Sequence, residues 1–177
     1  MLHLHINRKY NSFSNQQINL KFDTYRIRMK YFKYTLYTLM KLPAAWITGV
    51  RLIHLDDQGA TASIKHRWIN QNPYSSMFWA VQGMAAEFPT GILLTKQIRE
   101  SGKNISMLVL NNKATFTKKA TGRINFHCDQ GEEARNAIKT LIDTGEPQTV
   151  WLHATGMNQQ DQMVSKFSFE WTLLLKK

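Results

Sequence analysis

The chain is poor in cysteine, in acidic residues and in long apolar runs. Its single cysteine, Cys128, excludes an internal disulfide framework and a multi-cysteine metal cluster, and fits a reducing, cytoplasmic setting. No stretch approaches the roughly 18 apolar residues of a membrane span, so no transmembrane segment is expected. The first residues lack the apolar core of a signal peptide. P-loop, dinucleotide and GxSxG motifs are absent. His3, His5, His54, His66, His127 and His153 show no metal-binding spacing, so no metal is expected. Asp and Glu number 12 against 23 Lys and Arg, for a net charge of +11.

That surplus is uneven. Residues 1–41 hold 8 basic residues and 1 acidic, and the remainder hold 15 and 11. A basic excess attracts nucleic acid, anionic lipid or a polyanionic cofactor. No nucleic-acid motif accompanies it, so a solvated basic head is expected and no specific nucleic-acid partner.

What is present describes one globular domain. Apolar residues make up 43% and charged residues 20% of 177, long enough to bury a sizeable core. Residues 1–28 are polar and aperiodic and read as a basic, poorly ordered extension; a coherent pattern, residues 29–177, begins at Met29. The string KYFKYTLYTLMK (30–41) places Phe32, Leu36, Leu39 and Met40 at helical spacing. It reads as a short helix laid across the core, with an interfacial membrane helix as the alternative. Pro43 limits it.

AWITGVRLIHL (45–55) and ATASIKHRWI (60–69) read as two strands joined at Asp56–Gly59. After Pro73, Ser75 or Ser76 qualifies as the cap of a long helix over 77–98, apolar on nearly every side. A kink or break is expected near Pro89 and Gly91. Further strands follow at 105–119, 122–129, 149–157 and 163–175. A short helix over 132–145 has acidic residues in its first turn, and residues 158–162 make a hairpin turn. The expected class is α+β: a six-stranded antiparallel sheet wrapped around one long buried helix, with open edges favouring edge-to-edge dimers.

Over residues 40–177 the strings LPAAWITGV, KHRWINQNPYSSMFWAVQGMAAEFPTG and ATFTKKATGRINF resemble hotdog-fold thioesterase-like proteins. The nearest group is a set of uncharacterised members related to phenylacetate-pathway-type acyl-CoA thioesterases. The resemblance implies a homodimer, or a dimer of dimers, with acyl-CoA or acyl carrier protein thioesters bound at interface clefts and no dissociable cofactor. In those enzymes an Asn precedes the central helix and an acidic residue follows fifteen positions later. Asn72 and Glu87 have that separation. The family's His-Gly-Gly triplet is replaced by Phe78, Trp79 and Ala80, which leaves a backbone N–H at Phe78 or Trp79 to hold a thioester oxygen.

Glu87 is the main candidate on chemical grounds as well. It is the only acidic residue between Gln58 and Arg99 and sits among Met84, Ala85, Ala86 and Phe88, where an unpaired carboxylate is costly. Burial would tune it for general-base or nucleophilic work; Arg67, Thr90 or a partner subunit could instead neutralise it structurally. Thr90, three positions on, could orient the carboxylate or cap a broken helix. Gln82 is a weaker lining candidate. Asn72 either enters the site or holds the turn before Pro73. Lys118, Lys119 and Arg123, with Lys113 nearby, could meet coenzyme A phosphates or remain solvated charge. Cys128 reads as a small core residue.

Overall fold

The computed structural model describes residues 31–176. The extension over 1–28 lies outside them. Four helices, α1 (Phe32–Lys41), α2 (Pro43–Thr48), α3 (Trp79–Ser101) and α4 (Gly131–Thr144), accompany six strands: β1 (Arg51–Leu55), β2 (Ala60–Lys65), β3 (Ile105–Phe116), β4 (Arg123–Cys128), β5 (Gln148–Met157) and β6 (Met163–Leu175). The strands form one antiparallel sheet in the order β1-β2-β4-β5-β6-β3, with α3 against its inner face. This is the expected hotdog arrangement.

Period-two alternation makes the inner face. Ala60, Ala62 and Ile64 on β2, Ile124, Phe126 and Cys128 on β4, and Phe167, Phe169, Trp171 and Leu173 on β6 are buried against α3. Met163, expected on that face, is 39% exposed, because it sits where the β5–β6 register shifts. Strand β3 has a neighbour only on its β6 side and carries exposed Leu108, Leu110 and Phe116.

Local expectations fail where tertiary contacts override them. Residues 43–48 are helical, not extended: Pro43 occupies the first helical position, where its fixed φ suits the turn, and Gly49 ends it at φ +96°. The second strand stops at Lys65. Beyond it, buried Asn70 accepts the Arg67 N–H (2.8 Å) and donates to the carbonyls of Thr48 (3.0 Å) and Lys65 (2.9 Å), folding Trp68–Asn70 into a 3-10 turn. Neither Ser75 nor Ser76 caps α3. The N–H groups of Met77 and Phe78 donate to Ala120 (2.8 Å) and Asn70 (2.9 Å), so the chain stays extended through Phe78 and the helix starts at Trp79.

Helix α3 runs unbroken through Pro89. A helical proline costs about 3 kcal/mol. Burying Ile92, Leu93 and Leu94 just beyond it returns roughly 1.5–3 kcal/mol each, which outweighs the cost.

The start of α4 is wedged against the β1–β2 turn. The Gly131 N–H donates to the Gln58 carbonyl (2.8 Å), and a Cβ at Gly131 would collide with the Asp57 carbonyl. Gly131→Ala is expected to cost about 1–3 kcal/mol, read as a lower urea midpoint with unchanged slope.

Candidate functional site

A cleft of about 580 Å³ opens between α1–α2, the middle of α3 and edge strand β3. Helix α3 supplies Met84, Glu87, Phe88, Gly91, Ile92 and Thr95, one continuous stripe at helical spacing. Tyr37, Lys41, Leu42 and Pro43 form the opposite wall, and Met107, Leu108, Val109 and Trp171 close the sheet side. The helix is therefore not apolar all round. Its cleft-facing stripe is partly open, because the sheet covers only the other side.

Glu87 is the carboxylate of this cleft and is exposed to it. Among the described residues no side-chain hydrogen bond or ion pair reaches it, so Arg67 does not neutralise it. Desolvation by the surrounding apolar wall pushes its carboxyl above the ordinary carboxylate range. Trp171 packs on Gly91, where a Cβ would meet its ring at 3.2 Å, and the glycine lets the indole reach the helix.

Thr90 neither orients the carboxylate nor caps a break. It is buried; its hydroxyl donates to the Glu87 backbone carbonyl (2.8 Å) and accepts from the Trp171 indole N–H (3.2 Å). Gln82 is buried too, donating to the Met77 carbonyl (3.1 Å) and accepting from the Ser165 hydroxyl (2.9 Å). Both fasten α3 to its surroundings and lie away from the cleft. Asn72 holds its turn: Oδ1 accepts the N–H groups of Tyr74 (2.9 Å) and Ser76 (3.3 Å), and Nδ2 donates to the Ser76 hydroxyl (3.1 Å).

At the start of α3 the Phe78 N–H is already committed to Asn70, which removes it as an oxyanion donor. The Trp79 N–H, in the first turn, has no intrahelical acceptor. Trp79 precedes Glu87 by eight residues, about 12 Å along the helix. Reacting atoms and catalytic groups must approach within about 3–3.5 Å, so these two cannot serve one carbonyl from the same protomer.

The basic residues are also separated. The Lys119 ammonium donates to the Tyr74 carbonyl (3.2 Å) beside the start of α3, and Lys118 is its exposed neighbour. Arg123 alternates with inward-facing Ile124, lies on the sheet's outer face and donates to the Ser63 hydroxyl (3.1 Å). Lys113 is on that outer face also, 5.0 Å from the Trp151 ring. None of these lines the cleft. Its cation is Lys41, which the sequence reading missed, along with Tyr37. The mixture of lysines and aromatics in KYFKYTLYTLMK was the available signal. Burial pushes the Cys128 thiol up to about 11, which keeps it protonated in the core. No three metal-ligating side chains converge among the described residues, and no helix among them is long and apolar enough to cross a membrane.

Comparison with known proteins agrees with this architecture. A family model described as a domain of unknown function, DUF4442, matches residues 33–173. No curated protein matches the sequence. A Pseudomonas aeruginosa protein of unknown function, described as a probable thioesterase, superposes with a TM-score of 0.70 at 18% identity, over 82% of this chain and 96% of that one. A Chlorobaculum tepidum protein of unknown function gives 0.71 at 17%, over 82% and 94%. A Staphylococcus aureus thioesterase gives 0.57 at 12%, over 72% and 95%. That enzyme has been solved with a glutamine and, separately, a glutamate replaced by alanine, at positions fifteen apart. At these identities the likeness establishes the fold.

Removing the Thr90 hydroxyl leaves the buried Trp171 N–H without its acceptor. Thr90→Val is expected to cost about 1–3 kcal/mol. Asn72→Ala is expected to destabilise through its turn. Thermal melts of both variants check the two structural assignments.

Proposed function

The chain belongs to the DUF4442 family, within the hotdog thioesterase-like superfamily, and from its cleft we propose that it hydrolyses acyl thioesters of coenzyme A or acyl carrier protein. The observation that carries this reading is Glu87: a carboxylate that no described side chain pairs, on the wall of a mainly apolar cleft, with its pKa raised by desolvation. A group so placed can take a proton from water, or attack the thioester carbonyl itself, near neutral pH. The apolar wall suits an acyl chain. The Asn72–Glu87 separation equals that of the two residues altered in the S. aureus thioesterase.

The helical rise of about 12 Å from Trp79 to Glu87 argues for a site completed by a second protomer. Strand β3 offers twelve residues of unpaired edge beside the cleft. Pairing two such edges about a two-fold axis would form a dimer with two equivalent clefts. The start of one protomer's α3 would then supply oxyanion-stabilising N–H groups near the other's Glu87. Lys118 and Lys119, next to that helix start, are our assignment for the coenzyme A phosphates; Arg123 faces away. A dimer of dimers would further cover the sheet's outer face. The kinship to phenylacetate-pathway-type enzymes rests on the sequence strings.

A second reading is supported by the missing His-Gly-Gly triplet and the committed Phe78 N–H: the same cleft binds acyl thioesters without cleaving them. Free-thiol release across acyl-CoA chain lengths separates the two. Hydrolysis predicts release, with Glu87→Gln lowering kcat by about 10²–10⁴-fold while ligand-induced stabilisation persists. Stabilisation without release in the parent protein establishes the binding reading.

The raised Glu87 pKa sets two signs. The ionised base is present only above that value, so release is expected to rise with pH through a midpoint above the ordinary carboxylate range. For folding, a raised carboxyl pKa means that ionised Glu87 opposes the native state. This penalty is absent where the group is protonated in both states and complete above its folded pKa. Glu87→Gln is therefore expected to melt higher than the parent at pH 7, with the advantage fading as the pH falls into the ordinary carboxylate range.

Edge pairing makes its own prediction. Leu110→Lys with Phe116→Lys, both exposed on β3, is expected to turn a dimer into a monomer by light scattering.

A further inference from the structure

Helix α1 carries its apolar residues on the side away from the core. Tyr31, just before it, Tyr34 and Thr38 are the inward groups: the Tyr31 hydroxyl oxygen accepts the Leu55 N–H at 3.2 Å, Tyr34 packs against the core, and Thr38 is 2% exposed. Phe32, Leu36, Leu39 and Met40 face outward, 65%, 45%, 40% and 63% exposed, at positions i, i+4, i+7 and i+8 of one helical face. Leu42 and, on α2, Ile47 are likewise exposed. The four residues whose periodicity suggested a core-facing helix are thus the ones the core does not cover.

The charge carried by these two helices has one sign. Lys33 and Lys41 are exposed on α1, and neither α1 nor α2 contains an acid. Asp56 and Asp57, beside Lys33 at the start of α1, are engaged by His54 and Lys96, and Glu87 stands across the cleft from Lys41. The chain entering α1 is also basic, with six Lys or Arg and one Asp over residues 1–30. The same two helices supply Tyr37, Lys41, Leu42 and Pro43 to one wall of the cleft.

We propose that the outward face of α1 and α2 docks on an anionic phospholipid surface, with its apolar row in the headgroup–acyl boundary and Lys33 and Lys41 towards the headgroups. An amphipathic helix lying in the interface binds by this combination of apolar burial and attraction to anionic lipid. Docking in this way brings the cleft wall to the lipid surface, where acyl groups reside. The surface stands independently of whether the cleft hydrolyses or only binds.

The test is co-sedimentation of the full chain with large unilamellar vesicles of phosphatidylcholine, with and without phosphatidylglycerol. Binding is expected to the anionic vesicles, to be weak on the neutral ones, and to fall as salt rises. Leu36→Glu with Met40→Glu is expected to lower partitioning roughly tenfold or more. Neither Leu36 nor Met40 lines the cleft, so any thiol release from a soluble substrate should survive. Leu36→Gln with Met40→Gln replaces the first pair if thermal melts show it unfolded. The proposal is overturned by no binding to anionic vesicles, by equal binding to both compositions, or by binding indifferent to the apolar substitutions. It is equally overturned if those substitutions reduce the mass in solution, since a second copy of the chain would then be what covers the row.

Discussion

A single curved sheet cannot surround a helix, and most of what is distinctive in this protein follows from that limit. The sheet and α4 bury Val81, Ala85, Ala86, Leu93 and Leu94 on one side of α3. The stripe from Met84 to Thr95 is left to whatever else the chain can bring. Helices α1 and α2 and edge strand β3 approach that stripe without closing over it, and the remaining space is the cleft. The core-making helix and the site-making helix are the same element.

This arrangement explains how an unpaired carboxylate is tolerated. Full burial of Glu87 would carry a desolvation cost that nothing among the described residues offsets. At the cleft wall it keeps contact with water while its apolar surroundings raise its pKa. The polar side chains beside it in sequence are used differently. Thr90 and Gln82 spend their hydrogen-bonding groups on Trp171, Ser165 and backbone carbonyls, which fasten α3 to β6 and to the segment before it. They hold the helix in place and are not members of the stripe.

The start of α3 is governed by backbone hydrogen bonds from distant segments. Asn70 anchors the turn before the helix to α2 and β2, while its carbonyl and that of Ala120 hold the next N–H groups. The helix start is thus delayed to Trp79, leaving its first free N–H two turns from Glu87. Glu87 and that first N–H consequently stand apart within one protomer, beside the open edge of β3.

Much of the fold was legible because it depends on short-range periodicity. Strand β6 follows its alternation over 165–173, the Asp56–Gly59 and 158–162 turns fall as their residues indicate, and α4 ends at Gly145, in the left-handed conformation that glycine favours. Legibility failed where a distant group decided the outcome. Asn70 converts the end of the second strand into a turn, the β3–β4 loop displaces the expected serine cap, and buried neighbours carry α3 past Pro89. Glu87 could be singled out because an isolated acid in an apolar run is conspicuous in one dimension. Lys41 and Tyr37 could not, since their part in the cleft depends on how α1 lies across α3. Periodicity specifies that α1 has an apolar face, but not whether that face meets the core or the solvent, because both placements satisfy the same spacing. The sequence by itself determined which segments, outside 43–48 and 66–70, become strands and helices, and which acid stands alone. Only the tertiary structure decided which sides of those helices remain uncovered, because exposure depends on what the rest of the chain has left to pack against them.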